Sequence, residues 1–89
     1  MATSIVSHQV KDFAIWREAF AKFESVRKSG GELSATVLQS ADDPNYVIVI
    51  NTWDSVATAK AFFAQDELKT AMEEAGIAGP PQLLFGDEA

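Results

Sequence analysis

The sequence predicts a single α+β domain over residues 1–89, with the ferredoxin-like order strand-helix-strand-strand-helix-strand. Its most informative segment is the unbroken apolar run from Tyr46 to Ile50, which is typical of a strand buried on both faces. Other apolar residues recur at helical spacing, and Gly, Pro and Asp clusters separate the segments. The simplest packing is a four-stranded antiparallel sheet with the helices on one face.

The first strand and helix are predicted from the N-terminal third. Residues 3–10 alternate as a strand that places His8 on the same face as two valines. Asp12 is suited to cap a helix over residues 12–29. Arg27 falls in its last turn, where a cation suits the helix dipole, and a Gly pair ends it. Its apolar stripe has spacings of three and four: Phe13, Trp16, Phe20 and Phe23.

The second and third strands are predicted over residues 32–40 and 46–53. The turn between them contains two Asp residues, Pro and Asn, so the pair should form an antiparallel hairpin. On the third strand Asn51 and Trp53 share one parity with two valines. We expect that parity to point toward the helices and the row that contains His8.

A second helical region and a final strand complete the order. Asp54 is expected to cap the helix, and a break near Gln65 is expected, with Asp66 capping a second piece. Gly76 is the predicted stop. The last strand is predicted over residues 82–87, after a stiff Gly-Pro-Pro approach. The inward positions of the helical region are Val56, Ala59, Phe62, Phe63, Leu68 and Met72.

Both faces of the predicted sheet carry apolar side chains, although helices cover only one of them. Tyr46, Ile48 and Ile50 lie on the parity opposite to Asn51. Leaving them wet would expose a patch of several hundred Å², more than soluble monomers usually tolerate. Burial at about 25 cal/mol per Å² favours pairing one sheet against another. The sequence therefore predicts a two-fold homodimer through the sheet face.

Composition excludes several classes of function. There are no cysteines, which rules out disulfides and thiolate metal sites, and a single histidine is poor material for zinc. The net charge of −6 opposes binding to nucleic acid. No apolar segment reaches the roughly 20 residues of a membrane span, and no secretory signal is visible, so a cytoplasmic protein is expected.

Several motifs, taken together, resemble the dimeric α/β-barrel superfamily, and within it the small antibiotic-biosynthesis-monooxygenase-like proteins. They are His8-Gln-Val-Lys-Asp-Phe-Ala-Ile-Trp16, Asp42-Asp-Pro-Asn45, Trp53-Asp-Ser-Val-Ala-Thr-Ala-Lys-Ala-Phe62, Glu67-Leu-Lys-Thr-Ala-Met72 and Ala75-Gly-Ile-Ala-Gly-Pro80. The resemblance implies a ligand cavity inside each subunit, between sheet and helices. Characterised members include cofactor-free oxygenases of polycyclic aromatics, haem-degrading enzymes and isomerases.

The resemblance suggests which residues form a site. Trp53 matches a Trp at the end of strand three, and His8 occupies roughly the place of an Asn in the haem-degrading members. Asn51 resembles an Asn upstream of that Trp in the cofactor-free oxygenases, although its spacing differs. The axial haem ligand of the second helix has no counterpart, because no histidine follows His8. We therefore expect no cofactor and no metal.

Each candidate residue also has a purely structural interpretation. His8 is either an acid/base facing the cavity or a strand histidine bonded to a neighbour. Trp53 and Asn51 are either donors held ready for a ligand or members of the core. The predicted substrate-binding set overlaps with ordinary core residues in the same way: Phe20, Phe23, Phe63 and Met72.

Three functional hypotheses follow. The first is a cofactor-independent monooxygenase or isomerase acting on a small apolar or aromatic molecule, with His8, Asn51 and Trp53 as catalytic residues. The second is a non-catalytic dimer that binds a ligand or none. The third, a regulatory module, is disfavoured because the chain carries no attached domain. A cavity of about 300 Å³ or more would favour binding or catalysis over a closed core.

Overall fold

The computed structural model describes residues 1–89 and has the predicted order, with each helical region divided in two. The strands are β1 (Ala2–Gln9), β2 (Glu32–Gln39), β3 (Tyr46–Trp53) and β4 (Gln82–Asp87), and the helices are α1 (Phe13–Lys22), α2 (Glu24–Ser29), α3 (Val56–Phe63) and α4 (Asp66–Glu74). The strands form one antiparallel sheet in the order β2-β3-β1-β4. The α+β, ferredoxin-like fold is confirmed.

The helix predicted over residues 12–29 is not continuous. Asp12 caps α1 as expected, because its side chain accepts a hydrogen bond from the Ile15 amide. At Phe23 the backbone amide is shared between the carbonyls of Ala19 and Phe20, which tightens the turn and separates α2 from α1. Arg27, on α2, is buried, and only 6% of the residue is exposed. Arg27 lies in the last turn of a helix, as expected, but the prediction did not include its burial.

The caps of the second helical region differ from the prediction. Ser55, not Asp54, caps α3, because the Ser55 hydroxyl accepts a hydrogen bond from the Thr58 amide at 3.1 Å. The break near Gln65 is present, but Gln65 is the N-cap of α4 and makes no side-chain bond to it. Asp66 instead begins α4, where a carboxylate suits the positive end of the helix.

The two faces of the sheet have different environments. The face toward the helices holds the buried core, including Val6, Val47, Val49 and Trp53. On the other face Ile5 is 37% and Leu84 is 66% exposed. The predicted parity is thus correct, and it places His8 and Asn51 on the helix side together. Nothing in the chain itself covers the outer face.

Candidate functional site

A cavity of about 90 Å³ lies between the helix-facing side of the sheet and the helices. Its walls are mostly apolar, and three side chains with polar groups interrupt them: His8, Arg27 and Asn51. The volume is well below the value of about 300 Å³ that we set for a binding site. The interior therefore contains a small cavity and is not completely packed. This cavity is partly open to solvent.

His8 is a buried wall residue with an unsatisfied ring nitrogen. Only 4% of the residue is exposed, and Nδ1 has no hydrogen-bond partner. The ring packs edge-on against Trp16, with 5.6 Å between their centroids. Burial lowers the pKa of the His8 imidazole below its usual 6.5, because the charged form loses hydration. The imidazole is therefore neutral at pH 7, and one of its nitrogens is an acceptor.

Arg27 and Glu32 form a buried ion pair at the other end of the cavity. Arg27 Nε donates to Glu32 Oε2 at 2.9 Å, and the two side chains are 8% and 2% exposed. The guanidinium also donates to the Phe20 carbonyl and stacks over the Phe20 ring, with its carbon 3.6 Å from the centroid. The pair lies at the β2 edge of the sheet, because only two residues separate the end of α2 from the start of β2.

Asn51 is held by this ion pair on one side and by Ser4 on the other. Its Nδ2 donates to Glu32 Oε2 at 2.8 Å, and its Oδ1 accepts from Ser4 Oγ at 3.3 Å. The two bonds orient the amide, with its nitrogen toward Glu32 and its oxygen toward Ser4. An amide nitrogen carries two hydrogens, and the bond to Glu32 uses one of them.

Trp53 supports the site but does not line the cavity. It is fully buried, and its Nε1 donates to Ser4 Oγ at 2.9 Å. Its ring packs on Phe62 and Phe63, with centroids 5.1 and 5.8 Å away. Because the only donor of its indole is engaged, Trp53 orients Ser4, which in turn bonds Asn51.

The structure brings most of the predicted site residues to one cavity but not to one point. The predicted substrate-binding residues Phe20, Phe23, Phe63 and Met72 all line it. His8 pairs with Val47 and Asn51 pairs with Ser4, so the two residues are on neighbouring strands and are offset by four residues, roughly 13 Å along the strand direction. The two residues therefore face different parts of any small ligand.

Sequence reasoning missed three polar members of the site: Ser4, Arg27 and Glu32. One signal was present in the sequence for Ser4, which shares the parity of Val6 and His8 on β1. Glu32 had no such signal, because an irregularity between Glu32 and Ser34 shifts the register of β2.

No group of three or more His, Asp or Glu side chains is placed to hold a metal ion. None of the helices is both long and apolar enough to cross a lipid bilayer.

Comparison with known proteins identifies the fold and a family. A family profile described as antibiotic biosynthesis monooxygenase matches residues 9–74. An antibiotic biosynthesis monooxygenase structure superposes with a TM-score of 0.76 at 16% identity, covering 100% of this chain and 99% of the other. SnoaB, a cofactor-independent oxygenase from Streptomyces nogalater, gives 0.74 at 17% identity, covering 99% and 94%.

A third similar structure contains a ligand. The monooxygenase ActVA-Orf6 from Streptomyces coelicolor, in complex with nanaomycin D, gives a TM-score of 0.67 at 24% identity, covering 99% of this chain and 87% of the other. At these identities the superpositions establish a shared fold. No curated protein sequence matches this chain significantly.

Proposed function

Since this chain belongs to the antibiotic biosynthesis monooxygenase family, we propose that it is a cofactor-independent monooxygenase acting on a small, largely apolar molecule. The observation that carries this proposal is the unpartnered Nδ1 of His8 on the wall of an apolar cavity. A buried acceptor without a partner is costly, and in a native protein it calls for an explanation. A substrate that donates a proton to this nitrogen supplies one.

The residues suit the first step of oxygenation without a metal. Neutral His8 takes a proton from the substrate, and the Asn51 N–H stabilises the negative charge that develops on a substrate oxygen. The resulting carbanion gives two electrons to O₂, which forms a C–O bond as a peroxide. Loss of water from the protonated peroxide leaves a carbonyl, so a CH₂ group and O₂ become C=O and H₂O. A phenol supplies the CH₂ group as its keto tautomer, and its product is a quinone.

The test measures oxygen consumption with a set of phenols and benzenediols. His8→Ala is expected to lower the turnover of any active compound by about 10²-fold while the fold is retained. Ser25→Ala is the control, because Ser25 is exposed on α2 and lies neither on the cavity wall nor on the outer face of the sheet. Unchanged turnover in His8→Ala would remove His8 from the mechanism.

A second candidate is favoured by the size of the cavity. At about 90 Å³ it is smaller than most substrate sites, which suits a non-catalytic dimeric protein that binds a small ligand or none. Under this alternative none of the compounds is consumed, whether or not any of them binds.

We also propose that the functional unit is a homodimer formed through the outer face of the sheet. Its support is the exposed apolar set on that face: Ile5, Leu38 and Leu84. Ile5→Glu should convert the dimer to a monomer in light scattering after size-exclusion chromatography. Ile15→Glu is the control, since Ile15 is 61% exposed on α1. A wild-type monomer at micromolar concentration contradicts this part of the proposal.

A further inference from the structure

Five buried side chains form a hydrogen-bond network at the Asn51 end of the cavity. Trp53 Nε1 donates to Ser4 Oγ at 2.9 Å, and Ser4 Oγ donates to Asn51 Oδ1 at 3.3 Å. Asn51 Nδ2 and Arg27 Nε then both donate to Glu32 Oε2, at 2.8 and 2.9 Å. None of these residues is more than 6% exposed. The direction of each bond is therefore set by the side chains themselves and not by bulk water.

The two ends of this network fix its direction, because neither end can exchange donor for acceptor. The indole of Trp53 has one N–H and no acceptor, whereas the carboxylate of Glu32 has acceptors and no hydrogen. The hydroxyl of Ser4, which lies between them, can both donate and accept. Since this hydroxyl accepts from Trp53, its own hydrogen is left for the oxygen of Asn51.

Glu32 is the member that decides which way the Asn51 amide faces. A half-turn of that amide would exchange its nitrogen and its oxygen, which are nearly the same in shape. The Ser4 hydroxyl could adapt to the exchange by accepting from the amide nitrogen. The Glu32 carboxylate could not, because it would then face the Asn51 oxygen across 2.8 Å with no hydrogen between the two acceptors. Only the observed orientation satisfies both neighbours.

The fixed orientation determines what Asn51 offers to the cavity that it lines. Its oxygen accepts from Ser4, and one hydrogen of its nitrogen is bonded to Glu32. The second hydrogen of that nitrogen has no partner in the protein. With the amide turned, the nitrogen would lie beside Ser4 and the end beside Glu32 would carry an acceptor.

We propose that Glu32 is a positioning residue, which keeps the Asn51 nitrogen, and not its oxygen, available as a hydrogen-bond donor to the site. Arg27 neutralises the charge of Glu32 and so allows a carboxylate to remain buried at this place. The orientation of the amide is a property of the network alone. Its effect on turnover rests on the proposed function, in which the Asn51 N–H stabilises a developing negative charge.

Two variants separate the acceptor at residue 32 from the ion pair. Glu32→Gln removes the charge, but Arg27 Nε holds the new amide oxygen in place, so an acceptor for Asn51 remains. Arg27→Met combined with Glu32→Met, the pair-deletion variant, removes the acceptor and leaves no unpaired buried charge. Glu24→Met combined with Lys28→Met is the control, since it removes an exposed ion pair from the same helix.

The first measurement is the orientation of the amide, which NMR resolves through the two hydrogens of Asn51 Nδ2. In the wild-type protein, their nuclear Overhauser effects should be stronger to the side chain of Glu32 than to the Cβ hydrogens of Ser4. Glu32→Gln and the control should keep this ratio. In the pair-deletion variant the two effects should become comparable, because both orientations become accessible. Stronger effects to Ser4 in the wild-type protein, or an unchanged ratio in the pair-deletion variant, overturn the proposal.

The second measurement compares stability with turnover, which should rank the two variants in opposite order. Glu32→Gln leaves the Arg27 cation buried without a counter-charge, so its Tm should be lower than that of the pair-deletion variant. With a compound that the wild-type protein consumes, the pair-deletion variant should nevertheless have a kcat at least about tenfold below that of Glu32→Gln, at similar KM. If turnover instead follows Tm, Glu32 has only a structural role and the proposal is wrong.

The two measurements also separate this proposal from the function it serves. If no compound is consumed, the proposed function fails, and the NMR effects decide whether Glu32 orients Asn51. If the ratio of NMR effects changes as expected but both variants have the same kcat, Glu32 orients the amide without serving the reaction, and its positioning role is overturned. If a variant does not fold, the orientation of the wild-type amide decides.

Discussion

Ser4→Ala tests the buried hydrogen bonds that hold the site together. Ser4 has no exposed surface, and its hydroxyl accepts from Trp53 Nε1 at 2.9 Å and donates to Asn51 Oδ1 at 3.3 Å. Alanine removes both bonds and leaves a buried donor and a buried acceptor without partners. Each orphaned group costs about 1–3 kcal/mol, and the longer bond counts for less.

We therefore expect the free energy of unfolding to fall by about 2–4 kcal/mol, which corresponds to a drop in Tm of roughly 10–25 °C for a domain of this size. The measurement is urea denaturation followed by far-UV circular dichroism, at one protein concentration because assembly shifts apparent stability. Ser25→Ala is the control. It also removes a serine hydroxyl, but Ser25 is exposed on α2, away from the outer face of the sheet, so its cost should stay within about 0.5 kcal/mol. Equal denaturation midpoints for the two variants, at equal slopes, would refute the reasoning.

Three further perturbations have defined outcomes. Arg27→Met leaves the Glu32 carboxylate buried without its cation and should cost about 3–5 kcal/mol in the same denaturation assay, whereas Arg17→Met on the exposed side of α1 should cost less than about 0.5 kcal/mol. The pKa of His8 is lower in the folded chain than in the unfolded chain, so below about pH 6.5 the unfolded chain binds a proton that the folded chain does not. The free energy of unfolding should therefore decrease as the pH is lowered below that value. His8→Phe should remove this part of the pH dependence, and parallel wild-type and variant profiles would contradict it. Gly31→Ala should lower the Tm, because φ is +105° and the added Cβ would meet Thr58; an unchanged Tm would show that this turn relaxes.

Strand patterns carried most of the correct sequence-based predictions. The parity of Val47, Val49, Asn51 and Trp53 was read from alternation along one strand, and the structure buries all four. The same logic brought His8 to the cavity wall. Helix ends were less predictable, since both Asp54 and Ser55 are good capping residues and the backbone direction after β3 decides between them.

The candidate site shows where pattern reasoning ends. The sequence allows Trp53 to be either a donor for a ligand or a core residue. In the structure its N–H donates to Ser4, which lies 49 residues earlier in the sequence. Arg27 and Glu32 are five residues apart, but their pairing depends on the turn at Phe23 and the tight Gly connection into β2. Partners of this kind are far apart in the sequence or depend on the geometry of a turn. The spacing of residues in the sequence therefore does not predict that they form a contact.

By itself the sequence determined the order of elements, the parity of β1 and β3 and the absence of cysteine chemistry, because these depend on local spacing and composition. Only the tertiary structure decided that His8 and Asn51 occupy opposite ends of one small cavity, and that a neutralised ion pair holds Asn51. The reason is that strand register and burial are set jointly by elements far apart in the chain, and these fix both the distances between polar groups and their hydration.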